Sequence, residues 1–179
     1  LRWRGGSRRT WGRSESAGAY AWDYLVTDLG YKCHLSDVAA AIGLAQLRKL
    51  EANNDERRRV VDIYRRELAD VGAVGLPVER EGCRSAWHLF SLRVESRARR
   101  DQLFLFLRHR GITTGVHYYP LHMQPYYRGA GASLPVVEDL WGRLISLPLF
   151  VGMTEDEIGR VVTGVRDFYR GWAHGLGRH

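Results

Sequence analysis

Between residues 72 and 168 the apolar residues switch repeatedly between strand spacing and helix spacing, a pattern that neither an all-helical nor an all-strand chain carries. SAWHLFSLRV alternates, which puts Ala86, His88, Phe90, Leu92 and Val94 on one face of a strand. ARRDQLFLFLRHR has helical spacing and stops at Gly111; ITTGVHY then reads as a strand. LPVVEDLWGRL reads as a helix and ISLPLF as a short strand stopped near Pro148. The last helix opens with T-E-D-E, where Thr154 and Glu157 have capping-box spacing. Its stripe of Ile158, Val161, Val165 and Phe168 calls for a core to face. With the extended piece AVGLPV ahead of them, the order is β-β-α-β-α-β-α. That is an α+β layer domain, a small sheet covered by helices.

Two helices precede it. Ser36 is suited to cap DVAAAIGLAQLRKLEANN, whose apolar Val38, Ile42, Ala45 and Leu50 recur at near-helical spacing. The Asn53-Asn54 pair is expected to weaken or kink it. DERRRVVDIYRRELADVG carries Val60, Tyr64, Leu68 and Val71 on one stripe, with Gly72 as a stop. The segment 5-GGSRRTWGRSESAGAY-20 reads as loop, and no internal repeat is visible.

No apolar run approaches the roughly 20 residues of a membrane span, and LRWRGGSRRTWGR lacks the apolar centre of a signal peptide. The chain of 179 residues does not begin with Met, which suggests a processed N-terminus or a piece of something longer. Cys33 and Cys83 have neither metal nor disulfide spacing, so a cytoplasmic setting and no metal are expected. The net charge of +7 is nearly all arginine, Lys32 and Lys49 being the only lysines. Arg57, Arg58, Arg59, Arg65 and Arg66 are spread along amphipathic helices, which reads as solvated helix faces; no nucleic-acid motif accompanies them, and no nucleic acid is expected as partner.

One stretch fits neither period. In 115-GVHYYPLHMQPYY-127 two histidines, four tyrosines and two prolines crowd the end of a strand. It is too aromatic for a plain loop and too proline-broken for a helix. The tyrosines and prolines could seal the end of the sheet, with His117 hydrogen-bonded in a polar core. Alternatively they form a rim of hydrogen-bonding aromatics over a polar ligand. His117 and His122 are five apart with a proline between, and no carboxylate or thiol follows closely, so a metal pair is not expected. In 30-GYKCHLSD-37, Lys32 and His34 stand before a helix start, which suits either an anion or an ordinary solvated loop. Trp87-His88 reads as a packed aromatic pair. No glycine-rich phosphate loop, nucleophile elbow or paired-carboxylate motif appears.

Taken in order, LGYKCHLSDVAAAIGLAQLRKLE, SAWHLFSLRV, RGITTGVHYYPLHMQPYY and LPVVEDLWGRLISLPLF with MTEDE resemble the second half of the DegT/DnrJ/EryC1/StrS family. These are sugar aminotransferases dependent on pyridoxal 5'-phosphate (PLP) that act on nucleotide-linked keto-sugars. The resemblance runs from about residue 20 to about residue 170. It implies the C-terminal small domain and linker helices of the type I PLP-dependent aminotransferase fold. Residues 1–35 would be a remnant of the large domain with an interface loop, 36–71 linking helices, and 72–179 the small domain. It further implies a homodimer whose subunits share active sites. Lys32 would approach the cofactor phosphate in the neighbouring subunit's site, a position where many members have Asn. His34 stands where many have Arg or another polar residue. His117 would lie near the nucleotide-sugar, with Tyr118 and His122 beside it.

Transamination needs a lysine that binds the cofactor covalently and a carboxylate on its pyridinium nitrogen. The family carries these ahead of the region matched here, and neither Lys32 nor Lys49 occupies the lysine's place. The expectation is a C-terminal part that takes an amino group, from glutamate, to a keto-sugar only within a complete enzyme. Some members are dehydratases with His for that lysine, a distinction the sequence leaves open. The alternatives are a non-catalytic module or subunit of a split enzyme, and a basic nucleic-acid-binding domain.

Overall fold

The computed structural model describes residues 35–127, 129, 131 and 133–173, in two units divided after Lys49. In the first unit α1 spans Asp37–Leu47, and the Ser36 hydroxyl accepts from the Ala39 N–H at 3.3 Å, the expected cap. Its apolar side chains do not form a buried stripe: Val38 is 72% and Ile42 59% exposed, and α1 buries no residue. The helix stops in a turn at Arg48-Lys49, where Lys49 N–H tightens onto the Gln46 carbonyl at 3.0 Å. The kink expected at Asn53-Asn54 is therefore misplaced. Both asparagines lie inside α2, where the Asn54 side chain accepts from Arg57 at 2.7 Å instead of competing with the backbone.

In the second unit α2 spans Leu50–Leu68, four residues short of Gly72, and buries Val60, Val61, Tyr64 and Leu68. Strand β1 is Phe90–Arg93, α3 Arg97–His109, α4 Pro135–Arg143, β2 Leu144–Leu147 and α5 Glu155–Ala173. A single 3-10 turn, Leu121–Met123, lies in the aromatic loop. β1 and β2 pair antiparallel, Phe90 opposite Leu147 and Ser91 opposite Ser146. Phe90, Leu92, Ile145 and Leu147 meet Tyr64 and Leu68 of α2, Leu103 and Leu107 of α3, and Ile158, Val161 and Val165 of α5 in one core. At the observed burial each of these aliphatic side chains contributes on the order of 1.5–3 kcal/mol.

Of the four expected strands, two form the sheet. The outer two are reduced to single bridges, Gly75 with Arg93 and Gly115 with Ser146. Pro77 sits two residues beyond the first bridge and has no N–H to continue an edge ladder. The strand expected over 85–94 is also shorter. Phe90, Leu92 and Val94 are buried as read, but Ala86 and His88 face solvent and Trp87 is buried instead. The chain turns here: Trp87 has φ 45°, and its N–H donates to the Ser85 hydroxyl at 3.1 Å. Trp87 then packs on Phe90 with Arg65 over its ring, so Trp87 and His88 are not a packed pair.

Caps mark the helix starts. Ser96 Oγ accepts from Arg99 N–H at 3.2 Å, and Gly111, at φ +72°, closes α3. Thr154 and Glu157 make the reciprocal capping box, Thr154 N–H to the carboxylate at 2.9 Å and Glu157 N–H to the hydroxyl at 3.2 Å. The arginines of α2 depart from the solvated-face reading. Arg57 donates to the Ala86 carbonyl, Arg58 to Glu79 and the Ser85 carbonyl, Arg59 to the Met153 carbonyl and Arg65 to that of Pro77. They fasten the 77–87 segment and the α5 approach to the helix; Arg66 alone of the five is exposed. A long stem lets guanidinium reach a carbonyl while covering apolar surface.

Candidate functional site

The aromatic stretch splits into two anchored halves. The Gly115–Ser146 bridge brings the chain to the rim of the sheet, the Gly115 N–H donating to the Ser146 carbonyl at 3.0 Å and the Gly115 carbonyl accepting from the Ser146 N–H at 2.7 Å. Two residues on, the half-buried His117 ring folds back over Gly115. A Cβ at 115 would stand 2.5 Å from His117 Cε1, so only glycine admits this packing. His117 Nδ1 lies 3.0 Å from Ser146 Oγ, and that hydroxyl lies 2.7 Å from Ser91 Oγ across the strand pair. Tyr118 sets its ring edge-on to His117 at 4.8 Å and is 73% exposed. Histidine and tyrosine together thus offer polar tips on an apolar rim.

The second half is pinned elsewhere. His122 Nε2 lies 2.9 Å from Glu138 Oε1, and the same oxygen accepts from Leu134 N–H at the start of α4. The His122 side chain is only 10% exposed. Its hydrogen bond, then that of Leu134, holds the Glu138 carboxyl below its ordinary range. Tyr119 packs edge-on to Trp141 of α4 at 5.0 Å, and Tyr126 lies edge-on to Tyr127. His117 and His122 therefore face different supports: one the sheet, the other α4. The packing role expected of the stretch is met by His122, held against α4, and by His117, hydrogen-bonded at the sheet, while Tyr118 and Tyr119 are exposed.

Lys32, Cys33 and His34 lie outside the described residues, and Cys83 is a free, exposed thiol. Ser146, Ser91, Gly115 and Glu138 were not singled out from the sequence. The available signal was a lone serine in each apolar strand, FSLR and LISL, and a glycine two places before the histidine. Among the described residues no three His, Cys, Asp or Glu side chains group as metal ligands, and no helix is long and apolar enough to cross a membrane. Nor do they compose a seat for PLP. Lys49 is the only lysine among them and lies exposed in the turn after α1.

The α+β fold places the chain among aminotransferases. TlmJ, an aminotransferase of Streptoalloteichus hindustanus, shares it with a TM-score of 0.75 at 28% identity, over 94% of this chain and 43% of its own. DesV of S. venezuelae gives 0.74 at 30% identity, over 90% and 42%. The chain belongs to the DegT/DnrJ/EryC1/StrS aminotransferase family, which residues 4–166 match, as the ordered motifs led us to expect. The uncharacterized protein MJ1066 of Methanocaldococcus jannaschii is 33% identical over 173 residues, which cover 93% of this chain and 44% of that protein. The chain spans less than half the length of these relatives.

Proposed function

We propose that this chain serves as the C-terminal small domain and linker helices of a type I, PLP-dependent aminotransferase that moves an amino group, from glutamate, to a nucleotide-linked keto-sugar. The observation that carries this reading is the family match over residues 4–166, joined to a fold shared with an aminotransferase at 28% identity. The relatives' greater length supports a division of labour. PLP supplies the electron sink for amino transfer; its covalent lysine and pyridinium carboxylate belong to the part of the relatives that this chain does not match. Lys32 contributes from this chain toward the cofactor phosphate, in the partner subunit of a homodimer. His117 and Tyr118 border the nucleotide-sugar, with His122 and His34 as outer neighbours. The complete enzyme works in the cytoplasm.

The reading is tested by assaying glutamate-dependent amination of a keto-sugar nucleotide. The chain alone is expected to be inactive and to give no lysine-bound absorbance band with PLP. Fused behind the N-terminal portion of a family member, it is expected to support turnover that His117→Ala lowers. Turnover by the chain alone would overturn the division of labour. An active fusion that aminates only non-sugar ketones would overturn the substrate assignment.

A further inference from the structure

Residues 121–127 leave the domain as an arm. Pro120 ahead of it is buried, whereas Leu121, Pro125, Tyr126 and Tyr127 are exposed. The arm's backbone closes short turns on itself. Met123 N–H donates to the Pro120 carbonyl at 3.0 Å, Gln124 N–H to that of Leu121 at 3.1 Å and Tyr127 N–H to that of Gln124 at 2.9 Å. These turns reach no other element, but His122 does: its Nε2 lies 2.9 Å from Glu138 Oε1 on α4. An ionised carboxylate can only accept, so His122 Nε2–H donates, in a charge-assisted bond. The arm thus turns its histidine inward, where the side chain is 10% exposed, and its tyrosines outward. Such a ring has one nitrogen committed and little surface left for a ligand. Glu138 Oε1 also accepts from Leu134 N–H at 3.3 Å, which ties the start of α4 into the same joint.

We propose that His122 and Glu138 are positioning residues that clasp the 121–127 arm to α4, His122 holding the arm in place rather than touching ligand. The clasp is independent of what the site binds. Its consequence, that the clasp sets where the arm's exposed tyrosines meet a ligand, rests on the nucleotide-sugar reading above.

The clasp is tested by hydrogen exchange, read by mass spectrometry, in the full 179-residue chain. Glu138→Ala and His122→Ala are each expected to speed exchange of residues 121–127 several-fold, and the double variant to be no faster than the faster single one. Glu138→Gln, whose amide oxygen still accepts, should stay near the wild type. Unchanged exchange over 112–116 and 155–168 reports an intact sheet rim and core. Should Glu138→Ala fail to fold, His122→Ala, which leaves the Leu134 bond in place, carries the test. Faster exchange at 134–139 without any at 121–127 would make Glu138 a helix cap alone and overturn the clasp, as would additive effects of the two substitutions. The consequence is read in the fusion described above. Both alanine variants are expected to raise KM for the keto-sugar nucleotide by a similar factor, several-fold, with kcat little changed, and Glu138→Gln to restore it. A rise with His122→Ala but not Glu138→Ala would make His122 a ligand contact and overturn its positioning role. KM unchanged in both, with the arm released, overturns the consequence for binding. A fusion that turns over no keto-sugar nucleotide overturns the nucleotide-sugar reading and leaves the clasp, decided in the chain alone, standing.

Discussion

Glu79 shows how a single side chain can hold irregular backbone in place. Its carboxylate accepts the Ser85 N–H and the Arg58 guanidinium at 3.2 Å, closing the segment that delivers Trp87 to the core. The backbone hydrogen bond, then Arg58, outweighs partial desolvation and lowers its pKa below the ordinary value. A carboxyl lowered in the folded state stabilises above its unfolded pKa, near about 4.3, and that stabilisation disappears as pH falls through the lowered folded value. Urea midpoints at pH 7 and near pH 3 are expected to fall less for Glu79→Gln than for the wild type. The variant should start lower at pH 7, having nothing there to ionise. Parallel losses in the two proteins would mean that Glu79 is not part of the acid response. None of this was legible in EREGCRSAW, because the partner guanidinium comes from α2, 21 residues earlier.

The elements divide by how local their causes are. α5 was readable because its cap lies within four residues and its stripe follows one period. Removing the Thr154 hydroxyl frees the Glu157 N–H at the helix start. Thr154→Ala is therefore expected to lower unfolding stability by about 1 kcal/mol. A Thr154→Ser variant should retain most of it. Equal losses in both variants, measured by urea denaturation, would point to the threonine methyl rather than the cap. The edge strands were overread because a ladder needs a neighbour. ITTGVHY and AVGLPV have strand composition, but each meets its neighbour at one residue, and in AVGLPV Pro77 has no N–H to extend the pairing. The candidate site was legible only in outline. GVHYYPLHMQPYY announced a lined surface, whereas what orients His117 is Ser146, 29 residues away, and Ser91, a further strand across. Period and composition carry no record of such a pairing.

For the molecule as a whole, the sharpest contrast between sequence and structure is α1. Its apolar residues promised a packed helix, but Val38, Ile42, Leu44 and Leu47 are all exposed, and α1 has no polar face to set against them. Exposed apolar residues grouped on one short helix promote association. They also fit the linking-helix role proposed for 36–71, in which the complete dimeric enzyme would cover them. The chain alone is therefore expected to bind a hydrophobic dye and to scatter light increasingly with concentration. Val38→Ser combined with Ile42→Ser should reduce both signals, with little change in the urea unfolding of residues 50–173. These positions contribute no side chain to the core that α2, α3, α5 and the sheet share. A core-based cause predicts the opposite pattern: scattering that persists in the double variant and tracks instead with loss of the α5 cap. Dye binding equal in the wild type and the double variant would place the exposed surface away from α1, as at the Tyr118–Tyr127 rim, where Tyr118, Leu121 and Tyr126 are also exposed.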